Sequence, residues 1–140
     1  MIVLDTNIIS EVSRPAPDPR LVAWLSDMPA DRLYLTNITV TELFYGGERF
    51  RLKTGSARYV DVAMRLVERD YAGRILPWNA AEAIATGNIR ARREMSGFAI
   101  TMQDAMIAAI CLQHGATLAT RNTKDFEGLD LTLVNPFEGG

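Results

Sequence analysis

The chain has 140 residues, enough for one domain that buries a hydrophobic core without disulfides or a structural metal. It is 48% hydrophobic and 23% charged, as ordinary globular proteins are, and its formal net charge is −2. That charge argues against a protein that coats nucleic acid through positive charge alone. The single cysteine, Cys111, excludes an internal disulfide framework.

The apolar segments are too short for a membrane protein. None approaches the roughly 18 residues that a membrane-spanning helix requires, and no basic, cleavable leader precedes Ile2. Cys111 lies in an apolar segment and is expected in the core, which suits a reducing compartment. We therefore expect a cytoplasmic protein with no membrane contact.

Short apolar runs alternate along the chain with longer segments of helical periodicity. The predicted strands are 2–4, 33–36, 74–77, 116–120 and 131–134. The predicted helices are 8–12, one that begins at Pro19 behind the cap Asp18, one that opens near Thr39, 57–72, 80–95 and 102–114. Because parallel neighbours need crossover connections, this alternation predicts a parallel sheet covered by helices on both faces. The expected fold is a three-layer α/β/α domain over 1–140.

Four carboxylates follow predicted strands or begin predicted helices. They are Asp5 after the first strand, Glu42 after the second, Asp104 at the start of the last helix, and Asp125 after the fourth strand. Taken singly, each has a structural explanation. Asp5 can be an N-cap, Asp125 a cap or a surface charge, and Glu42 and Asp104 each stand three residues after a threonine, as in a capping box.

Taken together, these acids indicate a metal site. Segments that follow the carboxyl ends of parallel strands converge on one edge of the sheet. Carboxylates crowded there repel one another unless a cation compensates them, and Mg²⁺ prefers oxygen ligands. Such a metal polarises a phosphoryl oxygen and activates water, which is hydrolytic chemistry. The side chains of Thr6, Asn7 and Thr120 are placed to support the site through hydrogen bonds.

Other chemistries lack the residues that they need. Acid–base cleavage of RNA by two histidines is excluded because His114 is the only histidine, and its place at a helix end favours a structural role. The chain contains no GxxxxGK[ST] phosphate loop, GxGxxG turn or GxSxG elbow. One cysteine and one histidine cannot form a zinc site of the usual kind.

Two basic clusters could either bind phosphates at the rim of a site or simply be solvated helix faces. The first comprises Arg49, Arg51, Lys53 and Arg58, and the second Arg90, Arg92 and Arg93. Four aromatic residues stand among aliphatic ones: Trp24, Phe44, Tyr45 and Trp78. We expect these aromatic side chains in the core or at an interface rather than as stacking platforms for nucleobases.

Five segments occur in a recognisable order and spacing. They are MIVLDTNIISE at 1–11, ITVTEL at 38–43, AGRILPW at 72–78, DAMIAA at 104–109 and ATRNTKDF at 119–126. With them the chain resembles, over essentially its whole length, the PIN-domain ribonucleases. Within that family it is most similar to the VapC toxins of bacterial toxin–antitoxin pairs, and among those to the FitB-like type.

The resemblance implies a five-stranded parallel sheet with an acidic pocket at its carboxyl edge. It also implies an endoribonuclease that depends on Mg²⁺ or Mn²⁺ and acts as a toxin. The expected partners are the RNA substrate, a second copy of the chain in a homodimer, and a small VapB- or FitA-like antitoxin that wraps the toxin and inserts an arginine into its pocket. Operator DNA would be bound only through the antitoxin.

Carried over by position, the resemblance implies a set of catalytic residues: Asp5, Glu42, Asp104, Asn122 and Asp125. Asp5 and Asp104 match the principal metal ligands and Glu42 the third acid. Either Asn122 or Asp125 fills the fourth position, and an uncharged Asn122 there would put a second metal in doubt. Thr6 and Asn7 match a polar pair that holds the first carboxylate and a metal-bound water.

Two alternatives remain at this point. A receiver-type signalling domain also has acids at strand ends, but it would need paired acids after one strand and a lysine that ends another. Here Asp5 stands alone in Leu4-Asp5-Thr6 and Lys124 falls in a loop. A PIN fold with weak or lost catalysis, acting only as a binding partner, is the second alternative, and Asn122 leaves room for it.

Overall fold

The sheet has the predicted parallel architecture. The computed structural model describes residues 1–138 and contains, within them, the strands β1 (Ile2–Leu4), β2 (Leu33–Thr36), β3 (Ile75–Leu76), β4 (Thr117–Ala119) and β5 (Thr132–Val134). Their order across the sheet is β3-β2-β1-β4-β5, and every neighbouring pair is parallel. β1 is therefore central, with Ile2 opposite Leu33 on one side and Leu4 opposite Ala119 on the other.

Helices connect the strands and cover the sheet. They are α1 (Thr6–Val12), α2 (Pro19–Ser26), α3 (Asn37–Thr54), α4 (Arg58–Arg65), α5 (Ala80–Met95) and α6 (Met102–His114). A wider π-helical turn, Leu66–Asp70, extends α4, and short 3-10 turns occupy Ala30–Arg32 and Thr123–Phe126. None of the helices in this described part of the chain is long and apolar enough to cross a membrane.

Helix starts differ from the prediction where local caps decide them. α1 begins at Thr6, because the Asp5 side chain accepts a hydrogen bond from the Thr6 amide and acts as N-cap. α3 begins at Asn37 rather than near Thr39, because the hydroxyl of Thr36 accepts the Thr39 amide at 3.1 Å. The capping-box prediction for Thr39 and Glu42 is therefore wrong, since both residues lie inside α3.

Two hydrophobic clusters lie on opposite faces of the sheet. Alternate residues of a strand point to opposite faces, so Val3 packs into one cluster with Leu118 and α6, while Leu4 packs into the other with α1 and α2. Cys111 is fully buried in the first cluster, as predicted. Burial raises the pKa of its thiol to about 12, which removes it as a nucleophile at neutral pH.

Because helices pack against both faces of the parallel sheet, the predicted three-layer α/β/α fold is confirmed.

The contact between α3 and α4 depends on a glycine without a side chain. A Cβ atom built on Gly47 would lie 3.0 Å from the Val60 amide nitrogen, whereas nothing lies within 4 Å of a Cβ built on Gly46. Gly47→Ala is expected to lower the free energy of unfolding by roughly 1–3 kcal/mol, because the two helices must separate. Gly46→Ala is expected to raise it by up to about 1 kcal/mol through helix propensity.

Urea unfolding of the two variants side by side measures this difference. They differ by one position and add the same methyl group to the same helix, so propensity is matched. Equal changes for the two variants would show that the close approach at Gly47 does not limit the packing of α3 against α4.

Candidate acidic site

Asp5 stands at the end of the central strand in a dense hydrogen-bond network. Its side chain is only 6% exposed, and its backbone amide donates to the carbonyl of Ala119 at 2.9 Å, which extends the pairing of β1 with β4. One carboxylate oxygen accepts the Thr6 amide at 2.8 Å. The other accepts the Thr120 hydroxyl at 2.8 Å and the Asn7 side-chain amide at 3.3 Å. These contacts fix both oxygens of the carboxylate.

Thr120 and Asn7 join this carboxylate to the segment after β4. The Thr120 hydroxyl donates to Asp5 and in turn accepts the Asn122 amide at 3.1 Å. The side-chain oxygen Oδ1 of Asn7 accepts a hydrogen bond from the Arg121 backbone amide at 3.2 Å. Thr6, Asn7 and Thr120 thus lie where the sequence predicted supporting side chains, and their role at a metal stays a prediction.

Glu42 reaches the same edge from the second turn of α3. Its Oε1 accepts the Thr6 hydroxyl at 2.9 Å, and the hydroxyls of Thr6 and Thr39 lie 3.0 Å apart. Because the Thr6 proton is committed to Glu42, Thr39 donates to Thr6. A chain of two hydroxyls, from Thr39 to Thr6, therefore orients Glu42. The sequence analysis did not identify this role of Thr39, because its spacing from Glu42 suggested a helix cap.

Asp104 and Asp125 bring two further carboxylates. Asp104 lies in the first turn of α6, where its amide donates to the hydroxyl of the N-cap Thr101 at 3.1 Å. Of the two hydrogen bonds of the predicted capping box, the one from the Asp104 amide to the Thr101 side chain is therefore present. Asp125 lies in the 3-10 turn after β4, which Asn122 precedes. The negative charge of Asp125 acts on both Asp5 and Asp104. Asn122 contributes through its backbone: its amide donates to Thr120, and its carbonyl accepts the Asp125 amide at 3.0 Å.

Burial and negative charge dominate the electrostatics of the site. Burial raises the pKa of Asp5, and the charges of Glu42 and Asp125 raise it further against the hydrogen bonds that lower it. Burial raises the pKa of Glu42, and Asp104 adds to that effect. Burial also raises the pKa of Asp104, followed by the charge of Asp5. Each acid thus destabilises the ionised form of a neighbour.

The donor set fits a hard divalent cation that retains water ligands. No three carboxylate, histidine or cysteine side chains of residues 1–138 converge closely enough to bind a metal ion by themselves. Mg²⁺ typically takes one or two protein carboxylates and keeps several waters, so a closed set of three is not required. The buried carboxylate of Asp5 and the half-buried carboxylates of Glu42 and Asp104 repel one another and provide the charge that such an ion would neutralise.

Arg93, which sequence analysis placed in a basic cluster, ties two loops together at this site. Its guanidinium donates to the carbonyls of Phe98 at 2.6 Å and Asp125 at 3.1 Å. These bonds join the turn before α6 to the turn that contains Asp125, and the positive charge lowers the pKa of Asp104. No local pattern could have shown this link, because the bond to the Asp125 carbonyl spans 32 residues of the chain.

An open cleft of about 730 Å³ begins at Glu42 and runs between α3 and α6. Its walls include Thr6 and Glu42 on the acidic side, Tyr45 on α3, and Gln103 and Met106 on α6. A smaller, mainly apolar cavity of about 330 Å³ lies on the other side of Glu42, between α1, α3 and α4. Trp24 and Trp78 pack against the hydrophobic clusters as expected, but Tyr45 is 69% exposed and is not a core residue.

The PIN domain family model matches residues 2–130. Among curated proteins, the chain is 39% identical to Toxin FitB of Neisseria gonorrhoeae, over 98% of this chain and 99% of that protein. It is 38% identical to VapC ribonuclease Y4jK of Sinorhizobium fredii, over 99% of both chains.

Solved structures show the same likeness. The structure of FitAcB from Neisseria gonorrhoeae matches with a TM-score of 0.87 and 38% identity, over 99% of each chain. That of FitAB bound to the IR36 DNA fragment also has a TM-score of 0.87, with 37% identity over 99% of this chain and 96% of that one.

The crowded charge predicts that the acidic site costs stability when no metal is bound. The pKa of Asp104 is raised in the fold, so ionisation destabilises the protein once the pH exceeds the ordinary value, and fully so above the raised one. In EDTA at pH 7, Asp104→Asn is expected to raise the thermal midpoint by about 2 to 4 °C, the shift that about 1 kcal/mol produces in a domain of this size. The gain should disappear as the pH falls below 3.8, where Asp104 becomes protonated in both the folded and the unfolded state.

Thermal unfolding followed by circular dichroism measures the effect. Asp61→Asn, which removes the same charge from an exposed position on α4, serves as the control and should leave the midpoint nearly unchanged. A lower midpoint for Asp104→Asn than for the wild type at pH 7 would contradict repulsion at the site.

Proposed function

Because the chain belongs to the PIN domain family, we propose that it is an endoribonuclease that acts as the toxin of a toxin–antitoxin pair. One observation supports this most directly: at the carboxyl edge of the sheet, the charges of Asp5, Glu42 and Asp104 raise one another's pKa, and Glu42 lines an open cleft. Full-length relatives named as a toxin and as a VapC ribonuclease support the same function. Family membership removes the receiver-domain alternative.

We propose that Asp5 and Asp104 bind the metal directly and that Glu42 is the third acid. PIN and VapC nucleases are generally metal-dependent, and Mg²⁺ or Mn²⁺ suits the oxygen donors present. When bound, the ion would supply charge to the phosphoryl group and lower the pKa of a water. Thr120 and the Thr6 amide keep the Asp5 carboxylate ionised and fixed, and the Thr6 hydroxyl keeps Oε1 of Glu42 in place.

We propose Asp125, rather than Asn122, as the fourth acid. The charge of Asp125 acts on both Asp5 and Asp104, so it belongs to the same electrostatic cluster. Asn122 supports the site through its backbone amide, which donates to Thr120. A neutral side chain at that position leaves the negative charge of the site to the four carboxylates.

The proposed partner is a small VapB- or FitA-like antitoxin. Structural relatives include FitAB and VapBC complexes, some of them with DNA, which supports operator binding through the antitoxin. The cavity beside Glu42 offers an apolar surface from which a cationic side chain could reach the acids. A homodimer and a cytoplasmic location, where RNA substrates lie, complete the proposal.

We also propose that residues 1–140 form a single PIN domain. The family match ends at residue 130, yet β5 follows at Thr132–Val134 and pairs with β4 across three residue pairs. The strand therefore belongs to the same sheet. Residues 139 and 140 lie outside the described part of the chain.

The purified full chain, freed of antitoxin, is expected to cleave single-stranded RNA with Mg²⁺ or Mn²⁺ and not with EDTA. Asp5→Ala and Asp104→Ala should each lower kcat at least about a hundredfold, because each removes a metal ligand. Gel assays of an end-labelled RNA measure cleavage. In cells, expression should arrest growth, and the product of a short adjacent reading frame should relieve the arrest.

Metal binding has a readout of its own. Mg²⁺ should raise the thermal midpoint of the wild type by binding only the folded state, and should do so less for Asp104→Ala. Full cleavage activity in either aspartate variant would refute the metal site. Metal stabilisation without RNA cleavage would favour the alternative of a PIN fold that only binds partners.

The fourth position is tested by a matched pair of variants. Asp125→Ala is expected to lower kcat about tenfold or more, because it removes a charge from the cluster, while Asn122→Ala should retain most activity, because its contact to Thr120 is made by the backbone. Cleavage rates at saturating Mg²⁺ measure both. Retention of the full rate by both variants would place the fourth acid elsewhere, and a larger loss for Asn122→Ala would reverse the assignment.

A further inference from the structure

Tyr45 is an aromatic side chain with no place in the core. It is 69% exposed on α3, three residues after Glu42, although its neighbours in sequence suggested a core or interface position. Residues 1–138 leave most of this ring uncovered although burying it would be favourable, so the ring is available to a ligand or to a partner chain. Its surroundings indicate what it contacts.

On one side, Tyr45 forms a wall of the cleft that begins at Glu42. Thr6 and Glu42 line the inner end of that cleft, and Gln103, the residue before Asp104, lines its α6 side. A ligand with its phosphate at the acids would therefore place the adjoining part of the molecule along Tyr45.

On the other side, Tyr45 borders a shallow groove lined by two cations and one acid. Arg49, Leu52 and Lys53 follow Tyr45 by four, seven and eight residues and so lie on the same helix face. The acid is Glu48, whose carboxylate is paired with Arg51. Leu52 is 72% exposed. Arg51 forms an ion pair with Glu48, whereas Arg49 and Lys53 are in no ion pair with any of residues 1–138. Their charges are available to a ligand.

We propose that this face of α3 binds single-stranded RNA beside the scissile phosphate, with a nucleobase stacked on Tyr45 and a neighbouring phosphate at Arg49 and Lys53. Four residues of helix advance about 6 Å, which is within the span of one nucleotide. Proteins that bind single strands without sequence preference combine an aromatic side chain that stacks on a base with a positive side chain that contacts the phosphate backbone of the RNA. Such a combination tolerates any base. The inference rests on the proposed ribonuclease function and adds the path of the substrate.

The same arrangement explains how an acidic protein can hold RNA. Four carboxylates at the site repel phosphates, and the net charge of −2 provides no general attraction. Stacking on Tyr45 contributes without regard to charge, and the two cations act locally, within a Debye length of about 8 Å. The first basic cluster is therefore divided: Arg49 and Lys53 face the ligand, and Arg51 is a solvated helix charge.

The test measures RNA binding under conditions in which the RNA is not cleaved. Fluorescence anisotropy of a labelled single-stranded RNA of about 12 nucleotides, a length typical of such sites, reports its Kd for the full chain in EDTA. Tyr45→Ala should weaken binding about tenfold, and Tyr45→Phe should restore it, because the ring is what stacks. The double variant Arg49→Gln with Lys53→Gln should weaken binding and reduce the salt slope by about 0.7 for each phosphate that the protein no longer neutralises.

Ile84→Ala is the matched control, since Ile84 is also 69% exposed but lies on α5. It should bind RNA as the wild type does. In cleavage assays with Mg²⁺, Tyr45→Ala should raise KM about tenfold with kcat within about twofold, since the acids are untouched. A 2-aminopurine base in the RNA should be quenched by the wild type and by Tyr45→Phe but not by Tyr45→Ala.

Unchanged RNA affinity in Tyr45→Ala would overturn the inference. If that variant instead changed the oligomeric state in sedimentation with RNA affinity unaltered, the face would belong to contact between copies, and the inference would again be wrong. RNA binding that depends on Tyr45 without cleavage in Mg²⁺ would uphold the inference and refute the proposed ribonuclease function. RNA cleavage that does not change in Tyr45→Ala would support the proposed ribonuclease function and refute the inference.

Discussion

The position of β1 between two parallel neighbours is the constraint on which the rest of the structure depends. Because β2 and β4 run in the same direction as β1, the segments that leave all three strands emerge at one edge. Asp5 ends the central strand, and its amide still pairs with Ala119 while its carboxylate is held by Thr120. Backbone pairing and side-chain hydrogen bonds thus fix the buried Asp5 carboxylate at the carboxyl edge of the sheet.

This placement sets stability against function. Desolvation and mutual repulsion raise the pKa of Asp5, Glu42 and Asp104, so their ionised forms oppose folding at neutral pH. The hydroxyls and amides around them reduce that cost without removing it. The proposed metal ion, or a cationic side chain of the proposed antitoxin, would relieve the same repulsion, so one electrostatic argument supports both proposals.

Helix α3 serves three neighbours at once. Glu42 faces the acids, Gly47 lets α4 approach closely, and Tyr45 faces the cleft. Residues that are close in sequence acquire different environments because a helix turns its side chains by about 100° per residue. The functional residues and the packing residues of α3 thus lie on different sides of the helix although they are close in sequence.

The sequence by itself determined the parallel α/β architecture and the acids at the strand ends, because apolar periodicity and strand–helix alternation are local signals. It also identified Thr6, Asn7 and Thr120, which follow strands directly. Only the tertiary structure decided that Glu42 accepts from Thr6 rather than capping a helix, since the start of α3 depends on Thr36. It likewise decided that Tyr45 is exposed and that Arg93 holds the Asp125 turn. Those outcomes depend on which helix face meets the sheet and on contacts between distant segments, which no local pattern encodes.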